Sequence, residues 1–64
     1  MLNVESQFIG LSKKHAQDLA EAKNMLFRLI RSDDEDFFSY PMDERQDRIC
    51  VELDSGLVSR ARVL

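Results

Sequence analysis

Apolar and polar positions follow a different rhythm in each stretch of this chain. Over residues 13–23 the apolar positions Ala16, Leu19, Ala20 and Ala22 recur at helical spacing among good helix formers, which predicts an amphipathic helix. Ser12 stands where an N-cap hydroxyl accepts a first-turn N–H, and Asn24 stands where a left-handed residue ends the helix. Residues 25–31 fit two rhythms. Leu26, Phe27 and Ile30 would continue the helical stripe, whereas Met25, Phe27 and Leu29 would form one face of a strand with Arg28 on the other. The stop at Asn24 and the turn chemistry of Ser32, Asp33 and Asp34 favour the strand. Residues 48–53 alternate cleanly: Ile49, Val51 and Leu53 point one way, and Arg48, Cys50 and Glu52 point the other. Asp54, Ser55 and Gly56 then predict a three-residue hairpin loop, which pairs Leu53 with Leu57, Val51 with Ser59 and Ile49 with Ala61. A two-residue loop would set Val51 against Arg60 and spoil the apolar face. Leu19, Phe27, Leu29, Ile49, Val51 and Leu53 are the expected core.

Two stretches lack a rhythm. Residues 1–10 are mixed, with Phe8 and Ile9 as anchors, Gly10 as a break and residues 1–7 expected to be loosely ordered. Residues 32–47 are polar, with an aromatic insert (Phe37, Phe38, Tyr40) and the sole proline, Pro41. A loop this long in a compact domain is usually functional or mobile.

With 64 residues there is room for one core, and residues 1–64 read as a single domain. A lone cysteine, Cys50, forms no internal bridge, which favours a reducing compartment. Residues 1–11 lack the basic head and apolar run of a signal peptide, and Arg28 interrupts the longest apolar run, so the expectation is a cytoplasmic protein with no membrane span. The net charge of −3 works against binding nucleic acid, which is driven by Lys and Arg neutralising phosphates.

Catalytic and metal chemistry find little to work with. His15 and Cys50 make no zinc ligand set, and the alternation turns Cys50 away from the helix that carries His15. The acidic run 33–36 lacks the glycine and terminal glutamate of a calcium loop and reads as a solvated turn. No Gly-rich phosphate loop is present. The expectation is a protein that is not an enzyme, with no catalytic residue, metal or cofactor. Arg48, Arg60 and Arg62 gather around Cys50 on the face opposite the core, and Arg28 joins them from the preceding strand. Three readings stand: a solvated face with pairs such as Glu52 to Arg60, arginines that hold the acidic loop through Asp43, Glu44 or Asp47, or an anion patch.

The stretch Met42-Asp43-Glu44-Arg45-Gln46-Asp47-Arg48-Ile49-Cys50-Val51-Glu52-Leu53-Asp54, with Gly56 and Val58 beyond it, resembles the C-terminal half of the potato inhibitor I (eglin-like) family of serine-protease inhibitors and related small bacterial inhibitor-like proteins. Phe8-Ile9-Gly10-Leu11-Ser12 is similar to the segment that opens the family's helix, so the resemblance covers residues 8–63. It implies an α/β (α+β) fold with one helix packed on a small mixed sheet of about three strands, and a long loop joining the first two, parallel, strands. That settles residues 25–31 as strand. It also implies a contact loop over residues 37–45, with Phe38, Tyr40, Pro41, Met42, Asp43 and Glu44 as binding residues and Arg45 and Arg48 as loop support. Met42 would precede the scissile bond, Asp43 would follow it, and Arg48 would brace the loop from beneath. Cys50 stands where the plant inhibitors carry a second bracing arginine. The implied partner is another protein, a subtilisin- or chymotrypsin-like serine protease. The alternative is a regulatory or host-modulating binder of the same fold with no protease target.

Overall fold

The computed structural model describes residues 4–43 and 45–64. One helix, α1 (Lys13–Ala22), packs on a four-stranded sheet built from β1 (Leu26–Ser32), β2 (Glu35–Asp36), β3 (Arg48–Asp54) and β4 (Leu57–Val63) in the order β2-β1-β3-β4. β1 and β3 are parallel, whereas β2 on β1 and β4 on β3 are antiparallel, so the sheet is mixed. The two-residue β2 is the fourth strand, added to the three that alternation reveals.

The ends of α1 follow from local chemistry. Ser12 Oγ accepts from the His15 backbone N–H at 3.3 Å, and Asn24 takes φ 58° just past the last turn. With that stop in place, residues 26–32 leave as a strand and not as more helix. Ala16 and Ala20 are wholly buried, so the helix backbone sits close to the sheet. Phe8, Ile49, Val51, Leu53, Val58 and Ala61 complete this core, and Leu19, Phe27 and Leu29 border it only partly buried. Phe8 anchors as expected; Ile9 is about half exposed.

Glu5–Gln7 form a 3-10 turn, and Glu5 Oε2 accepts from the Val63 N–H at 2.7 Å. The expectation of looseness for residues 1–3 lies outside the described residues.

The hairpin register departs from the three-residue loop. Asp54 pairs with Leu57, so the turn is the two residues Ser55 and Gly56, with φ 54° and 78°. Left-handed values at both central positions are the signature of the twist-compatible two-residue hairpin. The pairing Leu53–Val58 is followed by a bulge that leaves Ser59 unmatched, after which Glu52 meets Arg60, Val51 meets Ala61 and Ile49 meets Val63. The extra residue restores the apolar face that an unbulged two-residue hairpin would have lost. Ser59 Oγ donates to Asp54 Oδ2 at 2.5 Å and lies 3.3 Å from the Glu52 carbonyl, which ties the bulge down.

Candidate functional site: the loop across the second face

β1, β3 and β4 turn a second set of side chains away from the helix: Arg28 and Ile30, then Arg48, Cys50 and Glu52, then Arg60 and Arg62. Ile30 and Cys50 are buried although neither belongs to the helix-side core. The loop between β2 and β3 covers them. Its aromatics alternate with the arginines beneath. Arg28 Cζ lies 5.0 Å from the Phe38 ring centroid, and Arg62 Cζ lies 5.8 Å from that of Tyr40. The Tyr40 hydroxyl donates to Glu52 Oε2 in a short hydrogen bond. Pro41 is half-buried beside it.

Past Pro41 the loop leaves the sheet, and the Met42 side chain stands fully in solvent, at 101% exposure. The next residue is gripped again. Arg48 Nη2 donates to the Asp43 carbonyl at 3.2 Å and to Asp43 Oδ1 at 3.3 Å, while its Nε donates to the Leu64 carbonyl at 2.6 Å. Arg48 is itself buried while Asp43 is exposed, so the arginine end of these charge-assisted bonds lies out of water. Glu44, also expected in the contact loop, lies outside the described residues.

Arg45, also expected as loop support, is bonded at the loop's exit. Its guanidinium makes a two-bond fork to Asp47, both bonds at 2.8 Å, because that carboxylate sits only two residues on. Asp47 in turn accepts the Leu26 N–H on its carbonyl at 2.6 Å, so Arg45 stiffens the loop's exit onto β1 and β3.

Arg31 is the residue that sequence reasoning missed. The bulge between Leu29 and Arg31 turns its side chain to the loop face. There Nε meets Glu52 at 2.9 Å, Nη1 and Nη2 meet the two Asp54 oxygens at 2.9 Å each, and Nη1 meets the Asp33 carbonyl at 2.5 Å. Asp33 Oδ1 accepts the Ser55 N–H at 2.9 Å, which joins the two turns. Glu52 is the hub: Tyr40, Arg31 and, at 3.9 Å, Arg60 converge on it.

The electrostatics follow these contacts. The Tyr40 bond and the Arg31 guanidinium hold Glu52 below the ordinary carboxylate range. Burial, then the Glu52 carboxylate, push the Tyr40 phenol up to about 12. Arg31 and then Ser59 lower Asp54 to about 2. Asp43 is lowered by its own backbone N–H and by Arg48. Burial raises the Cys50 thiol against the opposing pull of Arg48, Arg28 and Arg62.

Cys50 thus lies sealed under the loop, on the other side of the sheet from the exposed His15, and the two do not form a nucleophile pair. Among the described residues no three metal-ligating side chains gather, and no helix is long and apolar enough to cross a membrane. What the arrangement offers is a loop tethered on both sides of one fully exposed apolar side chain, Met42. No family model, curated protein or solved structure matches the chain.

Proposed function

We propose that this protein is a small protein-binding module that meets its partner through residues 37–45, with Met42 as the side chain that enters the partner's pocket. The partner in this reading is a subtilisin- or chymotrypsin-like serine protease, which takes up the loop as it would a substrate. The observation that carries it is the contrast at Met42. The side chain is wholly exposed, while the residues on either side of the crest are tied to the sheet through Tyr40–Glu52 and Asp43–Arg48. A loop already held in its bound shape loses little ordering entropy on binding. The same tethers keep a cut loop in place and slow its hydrolysis.

The test is incubation with subtilisin and with chymotrypsin at low enzyme ratios, following enzyme activity and the cut site by mass spectrometry. The expected result is loss of activity with cleavage confined to the Met42–Asp43 bond, and Met42→Gly abolishes inhibition without unfolding the domain. If neither enzyme is inhibited and residues 33–44 are cut at several places, the protease reading fails. A second reading keeps the loop and changes the partner to a non-protease protein. Phe37 and Phe38 favour it, because both are about half exposed on the same loop and add apolar surface beyond one pocket-filling side chain.

A further inference from the structure

The two edges of the sheet are treated differently. On β4 the chain that precedes the helix covers both ends of the outer edge: Gly10 N–H donates to the Val58 carbonyl at 2.8 Å, Val58 N–H donates to Leu11 at 2.8 Å, and Val63 N–H is taken by Glu5. On β1 the cover stops short. β2 pairs only with Arg31 and Ser32, and the backbone N–H groups of Phe37 and Phe38 both go to the Ile30 carbonyl before the loop turns away over the sheet face.

What remains open is set by the parallel ladder. Leu26 N–H donates to Asp47 on the β3 side, and Leu26 and Arg28 stand opposite Arg48 and Cys50. Alternation then points the N–H and C=O groups of Phe27 and Leu29 away from β3. Among the described residues nothing pairs with them. Side chains around this edge are apolar and accessible: Leu26 is 53% exposed and Phe38 56%.

We propose that the outer edge of β1 at residues 26–29 is a strand-addition site, which takes an extended segment of another protein, antiparallel to β1 and in line with β2. Its preferred sequence is apolar-acidic-apolar. Two apolar residues form the hydrogen-bonded pairs with Phe27 and Leu29 on the helix side of the sheet. An acidic residue between them lies directly opposite Arg28 on the loop side, where opposite charges attract. A second copy of this chain is a poor occupant. The antiparallel register that satisfies Phe27 and Leu29 in both copies sets Arg28 directly against Arg28, a like-charge pair at the closest cross-strand spacing. This inference does not depend on the contact loop or on any protease.

The probe is a capped Thr-Val-Glu-Val-Thr peptide titrated into the full chain, followed by backbone amide shifts and hydrogen exchange. The expected result is shift changes centred on residues 26–29 and about tenfold slower exchange at Phe27 and Leu29 at saturating peptide. Replacing the peptide's Glu by Lys weakens binding about fivefold. N-methylation of both peptide valines abolishes it, because those N–H groups face β1. No shift at residues 26–29 at millimolar peptide overturns the proposal, as do equal binding of the N-methylated peptide, or changes confined to residues 37–43. Concentration-dependent protection of Phe27 and Leu29 without peptide also overturns it, in favour of self-association. Loss of protease inhibition leaves every one of these readouts unchanged, so the two readings fail separately.

Discussion

Arg48 joins three parts of the chain that are far apart in sequence or unlike in structure: β3, on which it sits, the loop at Asp43 and the chain end at Leu64. Its burial makes the bonds strong and also makes their loss expensive, since Arg48→Ala leaves the two carbonyls without their charged donor. The expected loss of stability is about 1–3 kcal/mol by denaturant titration, with the helix-side core intact. The loop should respond more than the fold does. Cys50, sealed beneath it, provides the readout: alkylation of the thiol is slow in the native protein and faster in Arg48→Ala, and subtilisin cuts that variant readily. Equal alkylation and cutting rates would mean that the tether at Asp43 does not hold the loop. The face that Arg48 occupies could be read from strand alternation, whereas a grip on Asp43 stood there as one of three readings of the arginine face. The partner of Arg45 could not be read, because Asp43, Glu44 and Asp47 all lie within two residues of one guanidinium and only coordinates decide between them. Arg31 was hidden for another reason, in that a bulge reverses the side on which a strand residue lies.

At the scale of elements, what local chemistry decides was legible and what non-local fit decides was not. Asn24 as helix stop, Ser12 as cap and the alternation of β3 all rest on a few neighbouring residues. The β3–β4 register rests on a turn and a bulge acting together, and polar Ser59 gives no sign in sequence that it is the extra residue. The Ser55-Gly56 turn makes a clean prediction. Both residues sit at positive φ, and a Cβ added at Gly56 meets nothing within 4 Å, so the backbone alone sets the cost there. Gly56→Ala should destabilise by about 1 kcal/mol. Ser55→Asn should stabilise by about 0.5 kcal/mol, because Asn-Gly is the preferred pair for a turn with two left-handed residues. The opposite signs are checked by paired denaturation midpoints; a stabilising Gly56→Ala would contradict the turn.

Taken as a whole, the molecule is a sheet with two lids, a helix on one face and a loop on the other. The second lid is fastened chiefly by groups that titrate, which makes its stability depend on pH at both ends of the scale. Asp43, Asp47, Glu52 and Asp54 all have folded values below their ordinary ones, Asp54 at about 2. A depressed carboxylate contributes in full above its unfolded value of about 4, and the contribution disappears as pH falls through the folded value. Tyr40 works in the other direction. Its folded value of about 12 lies above the ordinary 10, so its contribution is complete below pH 10 and is lost as pH rises towards 12. Stability should therefore be level from about pH 5 to 8, fall between about pH 5 and 2, and fall again above about pH 8–9, first as the raised Cys50 thiol and then as Tyr40 lose their contributions. The tyrosinate signal can be assigned to one residue, since Tyr40 is the only tyrosine and the chain has no tryptophan. Tyrosinate absorbance should rise with a midpoint near 12, not near 10. Glu52→Gln should move that midpoint down but not fully to 10, because burial, the larger cause, remains while the carboxylate acceptor and its charge are gone. Alkylation of Cys50 separates opening of the lid from global unfolding, provided reactivity is corrected for the thiolate fraction measured in a denatured control. Accelerated alkylation ahead of the loss of helical circular dichroism would show the loop lifting while the helix stays docked. A tyrosinate midpoint near 10 in the wild-type protein would mean that Tyr40 is solvated and that the Glu52 hub does not fasten the loop.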